Sequence, residues 1–410
     1  MSNGWPMVPL EHLAEVAIGR QRSPRNASGN QMVPYLRAAN VKDGRLELGD
    51  IMCMNFTDDE QAIFSLAPGD VLVTEGCGSV KEVGASARWN GELPGIVCYQ
   101  NTLLRLRPRQ GVSDPGFVEL VARWLHRSGG WSSVASGTNI FHIGKGRASN
   151  VPVPCPPLPD QRRIVDLMSS LDSYVARAAA ATAEALQTAR SVRFEVFEAD
   201  PSAPVVRLGD LCDAGGIQIG PFGSQLHASD YVTDGVPTVM PKDMVAGRID
   251  AGSVARVSKE DWSRLPRHHL RVGDILLPRR GDLTKRALIG RDEEGWLCGT
   301  GSVRVRVSRA DPRVVFQALS TAEVSGWLED HAVGITMKNL NSEIVNSIPV
   351  RLPTGGEAAV AVIESAELYS VAASQTVQEA HRVRAALLAA VLSGQHSIPD
   401  SYDRFLNEAL

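Results

Sequence analysis

A stretch of basic side chains between residues 264 and 291 is the part of this chain best suited to bind an anionic partner. It contains eight arginines and lysines against two aspartates. Its centre is the loop Pro278–Arg286, which follows a run of aliphatic residues and contains a glycine. Arginine side chains can hold phosphates or read guanine edges through two hydrogen bonds. The candidates for such contacts are Arg279, Arg280, Lys285 and Arg286. The alternative is a solvated charged hairpin.

Two further segments carry polar residues just before the chain returns to a helical pattern. They are 136–139, with the sequence Ser-Gly-Thr-Asn, and 333–341. Hydroxyl, amide and ammonium groups in such segments suit hydrogen bonds to phosphates and base edges. The candidate residues are Thr138, Asn139, Lys338, Asn339 and Asn341. Asn and Thr also cap turns, so a capping role is the alternative for both segments.

An internal repeat relates these loops to one another. Val33-Pro34 matches Val236-Pro237, and the pattern Leu-x-x-Gly-Asp-[Val/Ile]-Leu occurs at 66–72 and at 270–276. Landmarks before and after these also recur, each after 197 to 204 residues and in the same order. The chain is therefore predicted to contain one module of about 200 residues twice.

The loop of the first copy that matches Pro278–Arg286 is nearly neutral. It runs from Thr74 to Lys81 and offers Lys81 as its one candidate cation. Because the two loops differ so much in charge, the two copies are not expected to recognise the same partner surface.

The first part of each copy has the composition of a β-rich domain. Residues 1–157 and 205–354 are rich in glycine, proline and β-branched residues. Alternating runs such as 103–107 and 303–307 predict half-exposed strands.

The second part of each copy has apolar residues at steps of three and four. This pattern predicts long amphipathic helices, from 160 to near Pro201 and from Glu357 to about Leu392. Their alanine-rich stripes suit packing of one helix against the other, antiparallel, although a surface helix of a globular domain is the alternative. The predicted fold class is α/β (α+β), with two tandem domains joined by two long antiparallel helices that form a coiled-coil spacer, and a pseudo-twofold internal repeat. The predicted segments are 1–157, 158–204, 205–354 and 355–410.

No catalytic motif is evident. Patterns for phosphate loops, nucleophile elbows and zinc proteases are absent from the sequence. Gly76-Cys77-Gly78 is interpreted as a β-turn rather than a phosphate loop, and Thr57 as a helix cap followed by an acidic first turn. The adjacent pair His268-His269 is not expected to bind a metal, because neighbours on an extended segment point to opposite faces. We expect no cofactor and no metal.

The composition excludes several classes of protein. The 42 basic and 46 acidic side chains give a net charge of −4, so a uniformly basic nucleic-acid binder is excluded and a locally basic one is not. Six isolated cysteines argue against both a disulfide framework and a zinc site. We find neither an apolar run long enough for a membrane span nor a signal-peptide pattern, and expect a cytoplasmic protein without membrane contacts.

Several linked features resemble the specificity (S) subunit of type I restriction-modification systems. They are the paired halves, the turn 220–224 (Gly-Pro-Phe-Gly-Ser), the Gly-Asp signature of both halves, and the segment 156–165 (Pro-Pro-Leu-Pro-Asp-Gln-Arg-Arg-Ile-Val) at the start of the first long helix. The C-terminal segment 392–399 also resembles the family. One departure is that the second helix starts with Leu352-Pro353-Thr354-Gly355-Gly356, where the family pattern would repeat Pro-Pro-Leu.

The resemblance implies two target-recognition domains that each read one half of a bipartite double-stranded DNA sequence. It adds Ser224 to the candidate DNA contacts. It also implies that the helices dock adenine methyltransferase (modification) subunits, and that motor-nuclease subunits complete the complex. The candidate docking residues are Gln161, Ile164, Leu167, Leu171, Ile363 and Leu387. In this interpretation the chain is not itself an enzyme.

Two other functions fit the same sequence. One is a specificity module of another methylation-based defence system, or of an orphan methyltransferase without a nuclease. The other is a helical adaptor that joins two protein clients and does not bind DNA. Binding to duplex DNA that weakens as salt rises would exclude the adaptor.

Overall fold

The two copies of the repeat fold around similar main sheets and differ in some of their shorter strands and helices. The structure is a computed structural model that describes residues 4–79, 81–200, 202–334 and 338–403, with Ser224 and Ser253 described by their main chain only. The chain divides into two compact units. The first unit comprises Met1–Ala178 and Thr376–Leu410, and the second unit comprises Ala179–Gln375. Both units mix helix and sheet, as predicted.

The first unit is built around a four-stranded antiparallel sheet. Its strands stand in the order Ala14–Ile18, Leu103–Pro108, Val71–Thr74 and Ser86–Arg88. A second sheet has the order Cys98–Tyr99, Met32–Leu36 and Met52–Asn55. Three short pairs are Met7–Pro9 with Pro152–Pro154, Gly76–Cys77 with Phe141–His142, and Val41–Lys42 with Arg45–Leu46. The shorter helices are Leu10–Leu13, Asp58–Phe64, Pro115–Arg127, Gly130–Val134 and Lys145–Ser149.

The second unit repeats this plan. Its main sheet has the order Cys212–Ile219, Ser302–Val307, Ile275–Pro278 and Ala287–Leu288. A second sheet has the order Tyr231–Val232, Ala255–Val257, Val236–Val239 and Leu297–Cys298, and two short pairs are Val205–Arg207 with Pro349–Arg351 and Met244–Val245 with Arg248–Ile249. The shorter helices are Lys259–Arg264, Pro312–Leu319, Ala322–His331 and Ser342–Ser347.

The Gly-Asp signature forms the same buried ion pair in both units. Asp70 is 1% exposed and accepts two hydrogen bonds from the Arg107 guanidinium, at 2.8 and 2.7 Å. Asp274 is bound in the same way by Arg306, at 2.7 and 2.6 Å. Gly69 has a φ of +96° and its counterpart in the second copy has +87°, so the preceding turn requires glycine in both copies. The repeated motif is therefore structural.

The expectation of half-exposed strands at 103–107 and 303–307 is wrong. These are the inner strands of the two main sheets, and Arg105 and Arg304 are only 4% and 3% exposed. The second sheet and its loops cover the face that the alternating arginines occupy. Arg105, for example, donates to the carbonyls of Ile63 and Ser65 at 3.2 Å each. Alternation of apolar and charged residues here correctly indicated a strand with two different faces. It did not indicate that the charged face is exposed to water.

The two long helices are present and antiparallel. The first long helix is Leu158–Phe197, of 40 residues, and the second long helix is Gly356–Leu392, of 37 residues. In the first unit, Arg384 of the second long helix binds Asp172 of the first, with 2.7 Å between Nη2 and Oδ2. In the second unit, Arg193 binds Glu367 at 2.8 Å. Each unit thus contains one segment of both helices.

Both ends of the described chain pack in the first unit. The indole of Trp5 donates to the carbonyl of Val391 at 2.7 Å. After the second long helix, Asp400 and Asp403 bind the guanidinium of Arg163 at 2.6 and 2.7 Å. Among the described residues, no helix combines the length and the apolar character that crossing a membrane requires.

Candidate nucleic-acid interface

In the second unit the two polar segments predicted from the sequence lie side by side. The strand Ile275–Pro278 leads into Arg279, whose carbonyl accepts a hydrogen bond from the amide of Leu340 at 2.9 Å. Arg280 forms an isolated antiparallel bridge with Asn339. The basic loop and the segment before the final short helix therefore form one continuous surface, which we call the basic edge (residues 279–285 with 333, 334, 338 and 339).

The turn that resembles the family motif joins this basic edge. The guanidinium of Arg279 lies 5.1 Å from the ring centroid of Phe222, which is itself 53% exposed. A Cβ on Gly220 would lie 2.0 Å from the carbonyl oxygen of Gly299, so only glycine fits there. The main chain of Ser224 lies in the 3-10 turn Gly223–Gln225, and its side chain lies outside the described part of the structure.

The charge of the basic edge is partly offset by one carboxylate. Arg280 is exposed and Lys285 is half-buried. Asp282 accepts hydrogen bonds from the hydroxyl and the amide of Thr284, at 2.6 and 3.0 Å. These bonds, followed by the charges of Lys285 and Arg286, lower the pKa of Asp282, so it stays ionised at neutral pH.

Arg286 does not lie on this surface, contrary to its interpretation as a surface cation. It is 7% exposed and donates to the carbonyl of Thr284 and to the hydroxyl of Ser325, at 3.1 and 3.2 Å. Ser325 belongs to the helix Ala322–His331, which covers this side chain. The burial depends on a contact far away in sequence.

The segment 333–341 combines exposed and capping residues. Val333 and Asn339 exchange two backbone hydrogen bonds, at 3.1 and 2.9 Å, while 335–337, in the middle of the predicted segment, lie outside the described residues. Lys338 is exposed and donates to the carbonyl of Glu329 at 2.9 Å. Asn341 accepts from the amide of Ile344 at 2.8 Å and caps the following helix. For Asn341 the capping alternative is therefore the correct one.

The first unit builds the corresponding edge from different side chains. Gly76–Cys77 is a short strand paired with Phe141–His142, so its interpretation as a β-turn is wrong. Glu75, at the position of Arg279, is 5% exposed and lies 2.9 Å from Nδ1 of His142. The predicted residues Thr138, Asn139 and Lys81 are all exposed. The two edges occupy equivalent places and differ in charge, as the sequence predicts.

The six predicted docking residues are packed inside their own chain. Gln161 is fully buried, and its side chain bonds the amide of Asp114 and the carbonyls of Val112 and Pro156, at 2.9, 3.0 and 2.9 Å. Ile164 and Ile363 are likewise buried in the two unit cores, and three leucines are half-buried against the core of the first unit, namely Leu167, Leu171 and Leu387. The buried members of this set are thus used inside the chain, and docking of a partner on these helices stays a prediction. Their apolar stripe is occupied by the rest of the chain.

One of the local predictions, the helix cap at Thr57, agrees with the structure. Thr57 caps the helix Asp58–Phe64 in a capping box with Glu60. His269 stacks on Trp262 with 3.9 Å between ring centroids, and Nε2 of His269 lies 2.7 Å from the Trp262 carbonyl. Within the described ranges, no group of three or more His, Cys, Asp or Glu residues could hold a metal ion.

The sequence is similar to curated type I restriction enzyme specificity subunits. It is 25% identical to the EcoKI specificity subunit of Escherichia coli K12 and 24% identical to the StySPI specificity subunit of Salmonella potsdam, over 186 residues in each case. It is 23% identical over 176 residues to the putative MjaX specificity subunit of Methanocaldococcus jannaschii. The matches with EcoKI and StySPI cover 43% of this chain and 39% of the relative, less than half of either. No protein-family model matches the chain.

The fold is similar to solved structures of the same class over nearly the whole chain. An S subunit of a type I restriction-modification system from M. genitalium has a TM-score of 0.58 and 14% identity, covering 95% of this chain and 96% of that one. A chain from a structure on the complex assembly and conformational transition of a type I R-M system has a TM-score of 0.60 and 18% identity, covering 96% and 99%. The chain therefore has the fold of the type I S subunit. The resemblance inferred from the sequence is confirmed.

Proposed function

We propose that this chain is the specificity subunit of a type I restriction-modification complex and recognises a bipartite, asymmetric DNA target. The observation that carries the proposal is the pair of equivalent edges with different chemistry, one built around Arg279 and Arg280 and the other around Glu75 and His142. Two related domains with different contact residues suit two different half-sites. The target-recognition domains would span 1–157 and 205–354, and the helical segments 158–204 and 355–410.

The charge of the chain favours a subunit that works with partners. Affinity for duplex DNA grows with the number of phosphates that are neutralised, and this chain has a net charge of −4. Several arginines of the main sheets are also engaged in buried ion pairs. Base reading by this chain, with most phosphate contacts made by methyltransferase subunits, accounts for that balance.

The outer faces of the long helices are the places where methyltransferase subunits would dock. Because the apolar stripe is used inside the chain, a partner would meet exposed apolar residues such as Tyr174, Leu368 and Tyr369, which are 47%, 53% and 52% exposed. Motor-nuclease subunits would join this assembly. The chain itself would carry specificity and no catalytic step.

Co-expression with type I modification subunits, followed by mapping of methylated adenines, tests this function. The expected result is methylation within a split, asymmetric motif that is absent when this chain is omitted. Methylation without DNA cleavage in the full operon would identify an orphan methyltransferase system. An unchanged methylation pattern and no salt-dependent duplex binding would contradict the proposal in favour of a protein adaptor.

Exchange of one domain tests whether each domain reads its own half of the DNA target. Replacing 205–354 with the same region of a related S subunit should change one half of the methylated motif and leave the other half unchanged. A change in both halves, or in neither, would contradict separate reading by the two domains.

A further inference from the structure

A cavity of about 470 Å³ lies within the second unit and shares Thr284 and Lys285 with the basic edge. It is lined by one turn of the hairpin 244–249, by the end of the loop at 284–286, and by residues of both long helices and of the helix Pro312–Leu319. Among these lining residues are four cations, Arg193, Arg248, Lys285 and Arg286, and one carboxylate, Glu367. This cavity therefore has a strong excess of positive charge.

Among the residues that the structure describes, Arg286 has no ion-pair partner in this cavity. Arg286 is 7% exposed, and its Nη1 is buried and has no hydrogen-bond partner among the described residues. The bonds that it does make are to a carbonyl and a hydroxyl. The lining carboxylate, Glu367, is bound by Arg193 at 2.8 Å. A buried guanidinium is thus left with neutral partners only.

Such a charge is unfavourable without an anion. Burial, followed by the positive charge of Arg193, lowers the pKa of Arg286 to about 10, while Asp282 acts in the opposite direction. Isolated buried cations are rare because transfer of a charge out of water is costly unless an opposite charge compensates it.

The first unit fills the equivalent place with a carboxylate that is bound by two guanidiniums. Asp43, in the hairpin turn before Gly44, binds Arg123 and Arg127, at 3.2 and 2.9 Å. Burial raises the pKa of Asp43, but the bonds and charges of Arg127 and Arg123 outweigh it and lower the pKa overall.

In the second copy these side chains are replaced by small ones. The hairpin turn carries Ala246 in place of Asp43. Ser320 takes the place of Arg123, because each lies nine residues after its helix cap, Asp311 and Asp114 respectively. Ala246 and Ser320 both line the cavity. The space that an aspartate and an arginine fill in one unit is left open in the other.

The hairpin turn at the cavity is also strained. Ala246 has a φ of +48°, and it is the one residue other than glycine with positive φ in the described part of the chain. A left-handed alanine is unfavourable, and residues of this kind concentrate at binding sites.

We propose that this cavity binds a small molecule that carries a phosphate group, with the phosphate held by Arg286. A planar guanidinium matches phosphate oxygens through two hydrogen bonds. Lys285 and Arg248 supply further charge at the mouth of the cavity, and Met244, Phe316 and Val371 supply apolar walls for an organic group. The cavity volume falls in the range of about 300–1,000 Å³ that is usual for small-molecule sites. This inference does not depend on the proposed function in DNA recognition.

Calorimetric titration of the full-length chain tests the site. The probes are inorganic phosphate, adenosine monophosphate and a short DNA duplex, at constant ionic strength set with chloride. We expect phosphate and the nucleotide to bind, with the nucleotide tighter because it also uses the apolar walls. If only the duplex binds, the phosphate comes from a nucleic-acid backbone and the proposal of a free ligand is wrong.

Three variants assign the binding to this cavity. Arg286→Met should weaken phosphate binding about tenfold or more, because hydrogen bonds to charged groups are the strong ones. The double variant Ala246→Asp with Ser320→Arg should restore the filled arrangement of the first unit and abolish binding. Arg309→Met, which removes an exposed arginine near Asp213, is the matched control and should bind as the natural chain does.

Thermal unfolding in phosphate-free buffer separates a ligand site from a structural arginine. Arg286→Met should be at least as stable as the natural chain there, and should lose the stabilisation that phosphate gives the natural chain. Lower stability without phosphate, or unchanged phosphate binding, would overturn the proposal.

Discussion

The arginines of this chain divide into those that hold the fold and those that are free to meet a partner, and residue type alone does not separate them. Arg105 and Arg304 are buried in the middle of the main sheets, and Arg107 is locked in a two-bond ion pair with Asp70. Arg280, in contrast, is exposed at the basic edge. Exposed arginines at loop ends are therefore the ones to test for DNA contact.

The change Arg280→Ala tests the basic edge in the complex with methyltransferase subunits. We expect weaker binding to target DNA and unchanged assembly. If Arg280 meets a phosphate, all sequences are affected alike and the slope of log affinity against log salt falls by about 1. If it reads a base, discrimination at one position falls by ~1–3 kcal/mol. Fluorescence anisotropy at several salt concentrations measures both quantities.

Arg207→Ala is the control for that experiment, since Arg207 is also exposed and, in the described part of the chain, pairs with nearby Asp210 alone. It should leave both the affinity and the salt slope unchanged. Equal effects of the two variants would show a general loss of charge rather than a contact at the basic edge.

His268 predicts a loss of stability in mild acid. It is 3% exposed, and burial, followed by the charges of Arg304, Arg267 and His269, lowers its pKa from 6.5 to about 4. Between these two values the unfolded chain binds a proton that the folded chain does not. The free energy of unfolding therefore falls as pH falls from about 6.5 towards 4, at ~1.4 kcal/mol per pH unit from this residue.

Urea denaturation from pH 7.5 to 4.5 measures this dependence. His268→Leu should flatten it, whereas the exposed His381→Leu should not. A pH dependence that is the same in the His268 variant and the natural chain would show that other groups dominate acid sensitivity.

Sequence reasoning succeeded for residues whose role depends on near neighbours. The cap at Thr57 needs only the next three residues, so its pattern is visible in the sequence. It failed for Arg286, because Ser325, which meets it, is far away in the chain. The contact between Glu75 and His142 was missed for the same reason. The internal repeat could have indicated it, because it places Glu75 at the position of Arg279.

At the scale of elements, the two long helices begin differently. Gln161 ties the first long helix to the helix Pro115–Arg127 through the amide of its cap, Asp114. The second long helix starts at Gly356, where a Cβ would lie 3.0 Å from Val314 of the helix Pro312–Leu319. The first junction thus uses hydrogen bonds and the second uses close packing.

Gln161→Leu should destabilise the first junction strongly. The change leaves the buried carbonyl of Pro156 and the half-buried amide of Asp114 and carbonyl of Val112 without their partner, and an unsatisfied group costs about 1–3 kcal/mol when it is fully buried. Hydrogen exchange at residues 112–116 and 158–165 measures the effect. Gln187→Leu, on an exposed position of the same helix, should change exchange little. Equal protection in both variants would contradict the role of Gln161 as a junction residue.

The long helices and the repeat were predictable because both are periodic in sequence. Steps of three and four residues located helices that the structure places at Leu158–Phe197 and Gly356–Leu392. The burial of the inner strands was not predictable, because a single strand does not reveal that a second sheet covers its charged face. For the same reason the stripe containing Ile164 and Leu387 was assigned to a partner instead of to the chain's own core.

At the scale of the whole molecule, the position of a residue in the sequence does not tell which structural unit it belongs to. Leu388 lies near the end of the chain and belongs to the core of the first unit, whereas Ile363, earlier on the same helix, belongs to the core of the second. Leu388→Ala should therefore lower protection from hydrogen exchange in 4–178, and Ile363→Ala should lower it in 179–375. Each should cost about 2–5 kcal/mol locally. Loss of protection in both units from either change would contradict this division.

The first unit is built from one early and one late segment of the chain, so the two units become complete in a fixed order during biosynthesis. A ribosome makes every residue of the second unit before it makes Thr376, the start of the last segment that the first unit requires. The half of the protein that is translated first is therefore completed last. Until Leu388 and Val391 emerge, the face of the nascent chain around Ile164 and Met168 has no covering helix. Termination of translation just after Gln375 would leave the second unit with its full complement of residues and the first without its segment of the second long helix.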